Sequence, residues 1–526
     1  MKFKAFVKKY HLIAYLISVT VIVIMAASVK FYRYLDHAAV YGLDNVRDAY
    51  SYFNILLAFI LVMFTILFYF LVVKKTDIAK SFLVIALTMG TLFILAMPPN
   101  TPADEESHVY TITKLTNGIL GIEKSTDGCK ALYRREDVES GFTREINIHN
   151  FSRTLQSLKT KADSREYVLF EVETFVASPT SAVLYFPAMV GVCISKICGL
   201  GTAMMYFLSR FLLLAAYAVI GYFAIKKIPT GKGVLALIMA MPTSLARAAC
   251  ISQEAILHGC GFLFMAYVFY FILSENKIRI KETVITVLAA TVLLLGKGGV
   301  YIPLFLLLFL IPKEKFGEKV KYPAVVSIAV VYSLIIFILA NPSLLKDLVG
   351  SDSQNGYDLA WTDESGYTLK MLITSPAHTV KMFFTTIVST GGELFAQMIS
   401  GGYGWLQFNS SSIIVALTFA LIIINALGSE NQMIILNKKQ KIITGVSAGL
   451  TILLITLSMW LFWTPISYQV ITGLQGRYYI LTLLPLMLLI CNHKIKVRGN
   501  VEKAGCLCIS AILIFTILEI WTKNAL

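Results

Sequence analysis

Charge is scarce in this chain. Only 15% of its 526 residues are Asp, Glu, Lys or Arg, against 57% hydrophobic, and mean hydropathy is +0.72. That balance excludes an ordinary soluble domain. Also lacking are a Walker glycine–lysine loop, a dinucleotide-binding glycine pattern, an HExxH pair and a nucleophile elbow, so ATP hydrolysis and redox chemistry have no footing. The eight cysteines form neither a disulfide framework nor a zinc spacing. Only Cys129 lies in a large polar stretch; the others sit in or beside apolar spans, and Cys506-x-Cys508 reads as helix filler. No internal repeat or low-complexity tract appears, which counts against a transporter built from inverted halves.

What is present is a succession of apolar runs, each near the ~20 residues that a helix needs to cross a bilayer. They fall near 11–29, 52–73, 81–97, 181–198, 203–225, 232–250, 254–273, 283–296, 299–312, 323–340, 411–428, 442–463, 477–491 and 505–522. The expectation is an all-α polytopic membrane protein of about 13–14 membrane helices with two large external loops, 98–180 and 341–410, carrying surface helices. The divisions are 1–97 (three N-terminal helices), 98–180 (first loop), 181–340 (membrane core), 341–410 (second loop) and 411–526 (C-terminal helices). The first span is too long for a signal peptide and reads as uncleaved.

The net charge of +15 sits in short connections, which fits the positive-inside rule and contact with anionic lipid, not nucleic acid. The N-terminus and "KKTDIAK" (74–80) read as cytoplasmic, placing loop 98–180 outside after three crossings. That loop holds 13 of the 31 acids but only 10 of the 46 bases. Five later basic connections, at 226–232, 274–282, 313–321, 437–441 and 492–503, are all cytoplasmic only if 181–225 makes one net crossing. Segment 181–198, with Pro187 and Gly191, is therefore expected to be re-entrant, broken or in-plane, as is tolerated where a protein cavity is lined.

This parity gathers the unusual charges on the external face. "MPPNTPADEESHVY" (97–110) puts Asp104, Glu105 and Glu106 where the chain leaves lipid. Asp104 and Glu105 are either plain loop acids or a general base and metal ligands. Glu106 suits the start of a surface helix, complementing its dipole. His108, three and four residues on, reaches their face if that segment is helical, to orient a carboxylate, join a metal site or simply pack. Glu254, after the turn Ser252–Gln253, is a second site acid or a partner of Arg247. Arg210, inside "YFLSRFLLLAAY", needs an internal acid and reads as structural. Lys297 among Gly296, Gly298 and Gly299, and Arg477 before Tyr478 and Tyr479, suit phosphate binding as a point charge and as a fork, or else headgroup and interface anchoring.

"PPNTPADEESHVY" resembles the PPDEPxHxYR-type stretch of a bacterial membrane family known as domain of unknown function 2142, grouped with the GT-C glycosyltransferases. The likeness continues in order through "SPTSAVLYFPAMVGVCISKICGL" (178–200), "YFLSRFLLL" (206–214), "MPTSLARAACISQEAI" (241–256), "LLLGKGGVYIPLFLLL" (293–308), "GGYGWLQF" (401–408) and "LQGRYYILTLLPLMLL" (474–489). Glu254 stands where relatives usually carry Asp, and Gln407 where Asp often follows Gly-Trp-Leu. The resemblance implies an inverting glycosyltransferase at the outer face of the bacterial cytoplasmic membrane, with a polyprenyl-phosphate-sugar donor and a glycan or lipid acceptor. It implies Asp104 or Glu105 as base, Lys297 and Arg477 on the leaving phosphate, and His108 and Glu254 orienting the acceptor. With Asp104 and Glu105, those two could also hold a divalent metal (Mg or Mn). A flippase, or an assembly partner for lipid-linked sugars, is the competing reading.

Overall fold

The computed structural model describes residues 32–123, 130–161, 166–171, 182–316, 361–427, 434–492 and 499–523, with a few isolated positions besides. Most of the expected spans 11–29 and 323–340 lies outside the described residues, as do Cys129 and 339–358. Where described, the chain is mostly helical, with a two-stranded antiparallel ribbon in the first loop, β1 (Lys130–Arg134) and β2 (Tyr167–Glu171), in register Lys130 with Glu171.

Among the described residues, six helices are long and apolar enough to cross a bilayer. These are α1 (Leu43–Phe68, continued by a π-helical turn to Val73), α2 (Ile78–Ala96), α6 (Thr202–Lys227), α9 (Glu254–Leu273), α13 (Lys438–Phe462) and α15 (Val501–Lys523). Shorter elements interleave: α3 (Glu105–Leu120) and α4 (Ile148–Lys159) in the first loop, α5 (Ala182–Ile197), α7 (Lys232–Ala240), α8 (Pro242–Ala248) and α10 (Ile280–Leu295). Beyond these come α11 (Pro376–Ser400), α12 (Ser412–Leu427) and α14 (Ile480–Ile490). The apolar run at 299–312 is not an α-helix but a tighter 3-10 segment, Ile302–Leu310.

The basic connections gather at one end of the bundle. Lys74 and Lys80 line a groove with Tyr222 of α6. Lys227 bonds Glu282 at 2.5 Å, Lys315 donates to the Asn276 carbonyl at 2.9 Å, and Lys441 donates to the carbonyls of Leu489 and Cys491 at 2.9 Å. The long loop residues, Lys297, the Gly401–Phe408 turn and Arg477 gather at the other end.

Segment 181–198 is a continuous helix through Pro187, not a broken one. It lies alongside the polar helix α3, Tyr185 bonding His108 near one end and Lys196 bonding Asn117 (2.5 Å) near the other. The chain then enters α6 still at the loop end, where Thr202 bonds Asp137 (2.8 Å) and Arg134 donates to the Leu200 carbonyl (2.7 Å). Gly191 is a packing contact and not a hinge: a Cβ there would press into the Ser209 backbone of α6.

The break falls instead within 232–250, expected as one span. Pro242 cannot donate to the turn before it and starts α8 as its first residue. The carbonyls thereby freed are satisfied locally, Ile238 by the Ser244 hydroxyl (2.8 Å) and Met239 by Tyr217 (2.9 Å). Non-helical backbone follows at 249–253. Irregular chain of this kind persists inside an apolar bundle only where protein groups pair with it.

Candidate functional site

The first turn of α3 sends its three acids in three directions. Asp104 sits at the N-cap in the left-handed region, φ 65°, uncommon for a residue with a side chain. An N-cap aspartate ordinarily accepts from its own helix; this one makes no such bond, and its carboxylate accepts from Arg477 Nη2 instead. Glu106 turns outward to Arg144 at 2.8 Å.

Glu105 turns inward, where both it and Arg210 are fully buried. Oε1 accepts from Arg210 Nε and from the Ile251 amide, each at 2.8 Å; Oε2 accepts from Arg210 Nη2 (2.5 Å) and the Asn100 amide (2.9 Å). Arg210 spends further donors on the carbonyls of Met97 (2.5 Å) and Pro98 (3.0 Å). This pair ties α2, the 97–105 turn, α6 and the irregular 249–253 segment into one joint. Arg210 thus has the internal acid that its position demands. Glu105, grouped with Asp104 as a base or metal ligand from sequence, has its carboxylate consumed by structure.

Asp104, Arg477, Glu254 and Lys297 form a second, connected set. Arg477 Nε lies 3.1 Å from Glu254 Oε1, and Lys297 Nζ lies 3.0 Å from the same oxygen. Lys297 also sits 3.9 Å from the centre of the Tyr478 ring, a cation–π contact. Like Asp104, Lys297 adopts positive φ (49°), so two of the five non-glycine residues in this strained state among the described residues are site residues. Glu254 and Arg477 are buried, whereas the Asp104 side chain remains 39% exposed.

Several buried side chains here keep atoms with no partner among the described residues: Arg247 Nε and Nη1, Glu254 Oε2 and His258 Nε2. Arg247, expected beside Glu254 or as plain structure, donates Nη2 to the Gly402 carbonyl and also stands within electrostatic reach of Glu254. Unpaired buried donors and acceptors are rare and costly in a finished core, and here they crowd one place. His258 was not singled out from sequence, although Glu254–His258 is an i, i+4 pair that presents both to one helix face.

The frame behind these groups comes from distant segments. Gln397 at the end of α11 accepts from the Gly476 amide through its side chain (3.0 Å) and from the Thr243 hydroxyl through its carbonyl (2.8 Å). A Cβ on Gly476 would collide with the Leu394 carbonyl and the Met398 amide, so only glycine lets Arg477 enter at this point. Gln407 accepts from the Ile146 amide at 2.9 Å, joining the 401–408 turn to the first loop.

His108 donates or accepts through Nδ1 with Tyr185 Oη at 2.7 Å. Desolvation pushes its imidazole down to about 4, against the upward pull of Asp104 and Glu254, so it is neutral at neutral pH. Burial pushes the Asp104 carboxyl up, but Arg477, His108 and Lys297 together hold it below its usual range. The acid set does not fit a divalent cation. Asp104, Glu105 and Glu254 each already face one or two cationic side chains, and among the described residues no three His, Cys, Asp or Glu side chains converge.

Fold and site together define a polytopic helical membrane protein with a charge-paired polar centre at one end of its bundle. The chain belongs to the family described as predicted membrane protein (DUF2142), whose model matches residues 87–490. No curated protein and no solved structure matches it.

Proposed function

We propose that this protein is an inverting glycosyltransferase of GT-C type. It takes a sugar from a polyprenyl-phosphate donor at the outer face of the bacterial cytoplasmic membrane and passes it to a cell-surface glycan or lipid. The observation that carries this reading is the linked set Asp104–Arg477–Glu254–Lys297, in which the buried Arg477 joins a partly exposed acid to a buried acid that also holds Lys297. The gathering of basic connections at the opposite end supports a cytoplasmic N-terminus and an external site.

In this mechanism the donor phosphate docks on Lys297 and Arg477, the guanidinium as a fork and the ammonium as a point charge. Arg477 is shared: the more it turns to phosphate, the less it stabilises the charge of Asp104. The carboxyl, held low while paired, then rises toward the range of a useful base. Asp104 takes the proton of an acceptor hydroxyl, the oxygen attacks the anomeric carbon in line, and polyprenyl phosphate leaves with inversion. Glu254 keeps both cations in place, and the neutral His108–Tyr185 pair orients the acceptor side. The leaving phosphate is where the cations contribute most, since its charge grows in a site shielded from water. The competing flippase reading calls for polar groups along the whole path, whereas the fully buried Arg210 is tied to Glu105.

The test is transfer from a synthetic polyprenyl-phosphate sugar by purified protein in nanodiscs, read as release of polyprenyl phosphate. Asp104→Asn and Glu254→Gln are each expected to lower the rate by roughly 10²-fold or more. Wild-type rates in both variants would overturn the proposal.

A further inference from the structure

An open surface cavity of about 590 Å³, lined by both polar and apolar groups, lies beside the outward face of the α3 N-terminus. It is within the size range of small-molecule sites and has room for a short oligosaccharide. Its wall includes Glu106, which follows Asp104 by two residues, and Asn100, whose amide bonds Glu105. The cavity and the charge-paired centre therefore share one turn of chain.

The lining chemistry is that of a polyhydroxyl ligand. Arg144 and Arg153 are matched by Glu106 and Glu145, so the wall carries no net charge to attract a phosphate or a polyanion. The groups are instead already paired, Arg144 with Glu106 at 2.8 Å and Arg153 with the Gly141 carbonyl. Carboxylates, guanidinium groups and the Asn147 amide offer adjacent donors and acceptors, the pattern that satisfies vicinal hydroxyls. Phe142 supplies an apolar face in the same wall, and Arg144 lies 4.4 Å over the Trp405 ring. The cavity is also anchored to the 401–408 turn through Gln407 and Ile146 (2.9 Å), and that turn holds Arg247 through Gly402.

We propose that this cavity is the acceptor subsite and that it takes an uncharged oligosaccharide. The proposal rests on the glycosyl-transfer reading and specifies its acceptor. Full-length protein in nanodiscs is titrated with maltotriose and chitotriose, and with trigalacturonate as the anionic control, following tryptophan fluorescence. A neutral trisaccharide is expected to give a saturable change that Arg144→Ala and Glu145→Ala each weaken roughly tenfold, the equivalent of one lost hydrogen bond. Both side chains are surface groups, so both variants keep the fold. Binding of trigalacturonate alone, of no saccharide, or with equal affinity in the variants overturns the subsite. Transfer assays separate the two ideas. Saccharide binding without any polyprenyl-phosphate turnover removes the transferase and leaves a glycan site; turnover whose acceptor KM ignores Arg144→Ala removes the subsite and leaves the transferase.

Discussion

Glu105→Gln separates an anchoring acid from the proposed base, Asp104. Glu105 and Arg210 have no solvent exposure, and the carboxylate accepts four hydrogen bonds, two from Arg210 and two from backbone amides. Glutamine keeps the shape but loses the charge, and its NH₂ must face donors on one side. Removing one partner of a buried ion pair costs about 3–5 kcal/mol, because the other charge stays buried and uncompensated. At about 1.4 kcal/mol per factor of ten, the folded-to-unfolded ratio drops by about two to three and a half powers of ten. Asp104→Asn loses only a half-exposed contact to Arg477 and is expected to cost less than about 1.5 kcal/mol. The assay is thermal unfolding in detergent, with Glu105→Leu, Arg210→Leu and the double variant Glu105→Leu/Arg210→Leu completing a cycle. The double variant should recover most of the loss, since no lone charge remains. Wild-type melting of Glu105→Gln, or a double variant no better than the worse single one, would refute the anchoring role.

The remaining predictions follow from the same geometry. His108 has a folded pKa near 4, below its ordinary 6.5, so the unfolded chain binds more protons between those values. Its contribution to stability is complete above about pH 6.5 and is lost as pH falls toward 4; melting followed against pH should show this slope, flattened in His108→Phe. Asp104 acts at lower pH: its contribution is present above about pH 4, the unfolded value, and disappears below it. Gly476→Ala should destabilise by about 1–3 kcal/mol and weaken donor binding, because the added methyl meets the α11 backbone and displaces Arg477. Arg477→Lys should raise the donor KM about tenfold or more, since an ammonium cannot bridge Asp104 and Glu254 while also forking onto phosphate.

Periodicity and scarcity of charge were enough for the class, since a bilayer demands long apolar helices whatever the function. The parity of basic connections likewise led to the gathering of Lys297, Arg477, Glu254 and the α3 acids at one end. Sequence reading stayed open where local signals have two outcomes: of the re-entrant, broken and in-plane forms expected for 181–198, its continuous helix excludes only the broken one. Pro187 and Pro242 are both prolines in apolar runs, yet only Pro242 ends a helix, because Tyr217 and Ser244 are placed to take up the freed carbonyls. Asp104 and Glu105 are adjacent acids of similar chemistry, and no composition rule tells them apart.

What the sequence determined by itself is therefore the membrane class and the small group of ionisable residues that gather at one end of the bundle. Only the tertiary structure decided how they pair. Arg210 lies 105 residues from Glu105, and Arg477 lies 373 from Asp104. Partners that far apart leave no periodic trace in the chain. Their choice comes from which helix faces meet, and in a low-dielectric bundle each buried charge must find its counter-charge at that meeting point.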